Sequence, residues 1–199
     1  MKLYNFGLSG NAYKARLMLS FLSLDYERID VDLASGEQTQ DDFLAINPAG
    51  QVPVLVDQDN VITDSHGILF YLAKAYSNGS DVEWLPESPV DLARVAVLIS
   101  QVSDDVNNGL SAARLVKLFG VPLDYEQAKD RALKHLTKLE QSLSGKEFLL
   151  GDKPTLADIA MYPYVKTAAD GGVDLAPYSN VNEWLKRFEA LPRYVDING

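Results

Sequence analysis

The sequence predicts an α/β domain followed by an all-α domain, and three observations carry that division. Strand-like and helical runs alternate over the first part of the chain. Strand signals vanish beyond about residue 90, and a stretch rich in Asn, Gly, Ser, Asp and Glu with two prolines lies between the two regimes. The expected boundaries are an α/β domain over residues 1–78, a connection over 79–89 and a helical domain over 90–199.

The elements follow in order. Leu3 to Phe6 reads as a short strand, and Gly7 to Gly10 supplies turn chemistry. Ser9 or Asn11 can cap a helix whose apolar residues Ala15, Met18, Leu19 and Leu22 recur at helical spacing. Arg28 to Leu33 alternates with period two, as a half-buried strand does. A polar stretch, Ala34 to Asp42, leads to a short helical piece around Phe43 to Ile46. Pro53 to Val56 and Val61-Ile62 then flank a Gln58-Asp59-Asn60 turn, which suits a hairpin, and Ser65 opens a helix to about Tyr76. The order is β-α-β-α-β-β-α. In the second region, Leu92, Val95, Ala96 and Ile99 begin one helix. Ala128, Ala132, Leu136, Leu139 and Leu143 space another, and Trp184, Leu185, Phe188 and Leu191 mark a last one that Pro192 helps to stop. Thr155 and Asp158 stand as a capping box, a feature of stability.

Composition narrows the chemistry. With 47% hydrophobic and 23% charged residues among 199, the chain has the make-up of a globular protein. Zero cysteines exclude a disulfide framework, thiolate metal sites and redox cycling on the protein's own sulfur. The net charge of −10 and the lack of a Lys/Arg cluster speak against nucleic acid and anionic lipid as partners. No stretch approaches the roughly 20 apolar residues of a spanning helix, and Met1 to Gly10 has no secretory pattern, so the expectation is a cytoplasmic protein without metal.

Four segments carry a family resemblance: Leu8 to Leu17 (LSGNAYKARL), Ile46 to Leu55 (INPAGQVPVL), Asp64 to Ala73 (DSHGILFYLA) and Lys153 to Pro163 (KPTLADIAMYP). In this order the chain resembles the cytosolic glutathione S-transferases over nearly its whole length. The nearest likeness is to bacterial-type members that activate a thiol with serine or asparagine. The resemblance implies a thioredoxin-like N-terminal domain before a helical-bundle C-terminal domain, glutathione as cosubstrate, a homodimer, and an electrophilic or peroxide second substrate.

The resemblance gives Ser9 and Asn11 the catalytic part, and physical chemistry supplies the reason. A free thiol has a pKa of about 8.5, so only a small share is thiolate at neutral pH. A hydroxyl from Ser9, an amide from Asn11 and the positive end of the following helix all favour the anion. Both residues are also favoured helix caps, and the division of labour between them stays open. Tyr4 and Tyr13 are rival hydroxyls, with Tyr4 better suited to the core.

Glutathione-binding roles fall on Gln51, Val52, Pro53, Asp64 and Ser65. A residue before proline is driven into extended conformation, so Val52 can pair with an extended peptide as an added strand would. The resemblance implies a cis Val52–Pro53 bond and places Gln51 at the ligand's glycine end, with Gln38 a weaker candidate for that end. Asp64-Ser65, at a strand-to-helix junction, can hold the charged γ-glutamyl end, and equally can serve as a capping pair. His66 reads as a surface or packing residue. Leu8, Asn107 and Asn108 are the expected lining of the second-substrate pocket. Conjugation to an electrophile is the leading expectation. Glutathione-dependent disulfide reduction or peroxide reduction, and a non-catalytic interaction protein, are the alternatives.

Overall fold

Four short strands, β1 (Lys2–Asn5), β2 (Glu27–Asp30), β3 (Val54–Asp57) and β4 (Asn60–Thr63), form one mixed sheet in the order β2-β1-β3-β4. They belong to the computed structural model of this protein, which describes residues 1–77 and 82–199. β2 runs parallel to β1, whereas β3 is antiparallel to both β1 and β4. The helices α1 (Gly10–Phe21), α2 (Asp41–Leu44) and α3 (Ser65–Tyr76) complete the thioredoxin-like order β-α-β-α-β-β-α, with a 3-10 turn at Glu37–Thr39 before α2.

Strand ends shift from the sequence reading for local reasons. β2 stops at Asp30 rather than Leu33: after Val31 N–H donates to Asn5 O, the Asp32 carboxylate accepts from Ala34 and Ser35 N–H and turns the chain. At the β3–β4 hairpin, Asp57 pairs with Asn60, so Asn60 joins the strand and the turn shrinks to Gln58 and Asp59, with Gln58 left-handed at φ 52°.

The chain divides into two units, Met1–Ser80 with Pro192–Gly199, and Asp81–Leu191. The last eight residues join the first unit because α1 binds them. Tyr13 donates its hydroxyl to Val195 O at 2.7 Å, Ser20 to Arg193 O at 2.7 Å, and Arg16 donates to Gly199 O at 2.8 Å. This explains why α1 is buried on nearly every side instead of along the expected stripe: Ala12, Tyr13, Ala15, Leu17, Met18 and Leu19 are all fully buried. A second small core gathers Val31, Phe43 and Val54, with Tyr4 and Val52 against it.

Of the expected connection, residues 79–81 lie outside the described residues; the rest holds no helix or strand before Pro89. The second unit is helical: α4 (Pro89–Gln101), a π-helical segment Val102–Ser111, α5 (Ala112–Phe119), α6 (Tyr125–Ser142), α7 (Leu156–Lys166) and α8 (Ser179–Glu189). Ser88 caps α4 and Pro89 takes its first position, where a missing N–H costs nothing. α5 stops at Gly120, left-handed at φ 64°.

The core of this unit is α7, in which every residue from Leu156 to Val165 is buried. Asp158 anchors it. Its carboxylate accepts from Thr155 N–H at 2.8 Å, Leu149 N–H at 3.0 Å and Trp184 Nε1–H at 2.9 Å, tying the helix start to α8 and to the loop before α7. Among the described residues no helix is long and apolar enough to cross a membrane.

Candidate functional site

Sheet register gathers three separate segments at one end of the sheet. β1 ends at Asn5, and β3 enters antiparallel with Val54 opposite Tyr4, so the Val52–Pro53 turn emerges beside the end of β1. Val54 also pairs with Thr63 at the end of β4, which brings the start of α3 to the same end of the sheet. Ser9, Val52-Pro53 and Asp64-Ser65, spread over 57 positions of sequence, thereby converge.

Ser9 caps α1: its Oγ accepts from Ala12 N–H at 3.2 Å while its backbone is extended. Two residues on, Asn11 makes the link to α3. Its Oδ1 accepts from the Ser65 hydroxyl at 3.1 Å and from Lys14 Nζ at 2.9 Å. Asn11 and Ser65, assigned by sequence to the thiol and to the γ-glutamyl end of a ligand, are thus in direct contact. Ser65 is 3% exposed and Asn11 half-buried, so the bond lies largely beneath the surface.

Asp64 has a positive φ of 67°, and its Oδ1 reaches forward to accept from His66 N–H at 2.7 Å and Gly67 N–H at 3.3 Å. The carboxylate therefore caps α3, the alternative its position allowed. Ser65 follows as the first helical residue.

Sequence reasoning missed Lys14 and undervalued His66. Lys14 is 1% exposed, with Nζ 2.9 Å from Asn11 Oδ1, 3.0 Å from His66 Nε2 and 3.5 Å from Ser65 Oγ. Burial lowers its pKa to about 7, against the pull of the Asp64 charge. His66 is lowered to about 4, first by burial and then by the Lys14 cation, so its imidazole is neutral at ordinary pH. A cation between Tyr13 and Ala15 reads from sequence as a solvated position; only its sealing by α3 reveals otherwise.

The loop before β3 is set by Asn47, 4% exposed, which accepts from Ala49 N–H at 3.2 Å through Oδ1 and donates through Nδ2 to Gln51 O at 2.8 Å. An Asn-Pro pair is the sequence signal for such a turn, and this one escaped the site reading. Gly50 is left-handed at φ 61°, and a Cβ there would meet Gln38 O at 3.2 Å. The Val52–Pro53 bond is cis. Val52 packs on the small core and Pro53 is buried, while Gln51 is exposed. Nearby, Gln38 Oε1 is buried with no hydrogen-bond partner among the described residues.

The rival tyrosines have other tasks. Tyr4 meets Phe43 edge-on at 5.9 Å, and Tyr13 binds Val195 and Tyr194. Leu8, in the first unit, is 43% exposed. Asn107 and Asn108 are exposed on the π-helical segment of the second unit, where Asn108 Nδ2 donates to Asp104 at 2.8 Å. Among the described residues no group of three or more His, Cys, Asp or Glu is arranged to hold a metal ion.

Comparison with known proteins adds an independent line. Residues 1–74 match the family model of the glutathione S-transferase N-terminal domain, and residues 122–192 that of the C-terminal domain. The chain is 32% identical over 205 residues to glutathione S-transferase Z2 of Arabidopsis thaliana, covering 98% of this chain and 88% of that one. It is 30% identical over 204 residues to maleylacetoacetate isomerase of Pseudomonas aeruginosa, covering 98% and 93%. A crystal structure of glutathione S-transferase from Pseudomonas fluorescens superposes with a TM-score of 0.90 at 34% identity, over 98% of both chains.

Proposed function

Starting from a chain that belongs to the glutathione S-transferase family, we propose that this transferase holds glutathione as its thiolate and conjugates it to an electrophilic small molecule. The observation that carries this reading is the convergence of Ser9, Val52-Pro53 and Ser65 at one end of the sheet, with Asn11 bonded to Ser65 there.

The residues fit the tripeptide in kind. The backbone N–H groups opening α3 and the Ser65 hydroxyl suit the γ-glutamyl carboxylate. Val52, extended before proline, suits a peptide added as a strand, and Gln51 faces the glycine end with Gln38 behind it. Ser9 and Asn11 suit the sulfur as hydrogen-bond donors. Lowering a thiol pKa by about two units requires about 2.7 kcal/mol, within reach of one hydrogen bond to a charged acceptor and a helix-terminus field. Ser9 does this by donation, without taking the proton itself.

The bound thiolate supplies the nucleophile for an electrophilic carbon of the second substrate. A homodimer acting in the cytoplasm completes the proposal, supported by the family resemblance and by apolar side chains exposed on α4, Val90 at 62% and Val97 at 58%.

A second reading has a specific basis: among the chain's relatives is one named maleylacetoacetate isomerase. Addition of a thiolate to an activated double bond begins conjugation and double-bond isomerisation alike, so the same site serves either. Calorimetry with glutathione, followed by steady-state assays with an aryl halide, maleylacetoacetate, a hydroperoxide and a mixed disulfide, tests the proposal. Turnover of the aryl halide is expected. Absence of binding heat overturns every enzymatic reading, and binding without turnover of any substrate leaves an interaction protein. Ser9→Ala and Asn11→Ala are expected to differ in their damage to turnover more than in glutathione affinity; an unchanged bound-thiol pKa in both would overturn these roles.

A further inference from the structure

A lysine sealed between two helices is an expensive residue. Methionine fills a similar volume with no charge to desolvate, so burial of Lys14 at 1% exposure calls for a polar task. The geometry supplies one. An ammonium has three protons to donate and no lone pair. Three acceptors surround Nζ: Asn11 Oδ1 at 2.9 Å, the neutral His66 Nε2 at 3.0 Å and, more loosely, Ser65 Oγ at 3.5 Å.

The consequence falls on Asn11. Its amide has an acceptor end and a donor end, and only the donor end stabilises a thiolate. The Ser65 hydroxyl can donate or accept, so alone it does not decide which end faces α3. A protonated Lys14 decides it, because an ammonium tolerates only the oxygen.

We propose that Lys14 is a positioning residue that couples carboxylate recognition at Ser65 to thiolate stabilisation at Asn11: holding its proton, it fixes Asn11 Oδ1 inward and turns Nδ2 the other way, as a donor. The coupling rests on the glutathione reading above. A ligand carboxylate beside Ser65 adds a negative charge near Nζ and keeps Lys14 protonated, as Asp64 already does in part. The charged groups facing Nζ are then Asp64 and the ligand carboxylate, with His66 neutral. The γ-glutamyl carboxylate of the ligand thus sets the polarity of the residue that receives its thiol. The buried amine also explains why Asn11 and Ser65 touch, since both lie on the shell that satisfies it.

The test is ultraviolet titration of the bound glutathione thiol in the parent protein, Lys14→Met, Asn11→Ala and the double variant, with S-methylglutathione as a ligand that lacks the thiol. In Lys14→Met the bound thiol pKa is expected to rise by about one unit, a tenfold loss of thiolate preference, while S-methylglutathione affinity at pH 7 falls too, because a carboxylate that raises the Lys14 pKa binds less tightly once that amine is gone. In the Asn11→Ala background the same substitution is expected to add nothing further, because the positioned donor is already gone. An unmoved thiol pKa in Lys14→Met, or effects that add in full, overturns the coupling alone; failure of the parent to bind glutathione overturns the proposed function and the coupling with it. Should Lys14→Met not fold, nitrogen NMR of Lys14 Nζ in the parent decides the question. Its pKa rises when S-methylglutathione binds if the coupling is right, and stays fixed if it is wrong.

Discussion

Replacing Lys14 with methionine should change how stability depends on pH, in a direction the burial of the amine dictates. In the native protein Lys14 titrates at about 7, and in the unfolded chain at its ordinary 10.5. Over the interval between these values the unfolded state binds more protons than the native one, so stability rises with pH. Integrating that difference from pH 7 to pH 9 gives a gain of about 2 kcal/mol from this one group. Methionine has no such term. Lys14→Met is therefore expected to be more stable than the parent at pH 7, with an advantage that shrinks by about 2 kcal/mol at pH 9. Denaturant unfolding of both proteins at the two pH values measures this directly, because other titrating groups cancel in the difference. Two parallel stability curves would refute the reasoning, since they would mean that the native lysine keeps its proton as readily as the unfolded one.

Other outcomes follow from packing and caps. A Cβ at Gly109 would lie 2.9 Å from Ala132 N and 3.1 Å from Ala132 Cα, so the backbone of α6 must retreat. Gly109→Ala should then destabilise by about 1–3 kcal/mol, seen as a lower Tm, whereas helix propensity alone would raise stability by up to about 1 kcal/mol. Asp158→Ala removes the acceptor of four donors, Leu149 N–H, Thr155 N–H, the Thr155 hydroxyl and Trp184 Nε1–H, and should cost about 3 kcal/mol or more in denaturant unfolding. Asp158→Asn, which keeps one acceptor oxygen, should cost less. Glu140 on α6 accepts from Asn180 and Val181 N–H at the start of α8, so Glu140→Ala should lose about 1–2 kcal/mol, the size of a cap.

The strand and helix order of the first unit was legible because each element carries its own period and each junction its own turn residue. Ser65 at the start of α3 and Ser9 at the start of α1 are instances. The π-helical segment was not. There the buried residues Val102, Val106 and Leu110 recur every four positions amid Asp104, Asp105, Asn107 and Asn108, a pattern too sparse to set a period, and nothing local announces bonds to the fifth residue. The residues after Pro192 carry no pattern that assigns them to α1; their place depends on Tyr13, Arg16 and Ser20, some 180 positions away in the chain. At the candidate site, Ser9, Asn11 and Ser65 stood out as caps and polar residues at junctions. Lys14 did not, because a charged side chain inside an apolar helix looks alike whether it meets water or a neighbouring helix.

β1 and β4 point the same way in the sheet, so α1 and α3, each starting where one of these strands stops, open toward a common spot. In a molecule carrying ten surplus negative charges, the N–H groups opening these helices, those of α3 partly capped by the Asp64 carboxylate, make a small mouth of hydrogen-bond donors within a repelling envelope. Salt reaches the two unequally. The envelope acts over distances comparable to the screening length of about 10 Å at 0.1 M and fades as ions are added, while peptide dipoles at contact range persist. An anion drawn to that mouth meets less resistance as ionic strength rises, the reverse of what a basic surface would do.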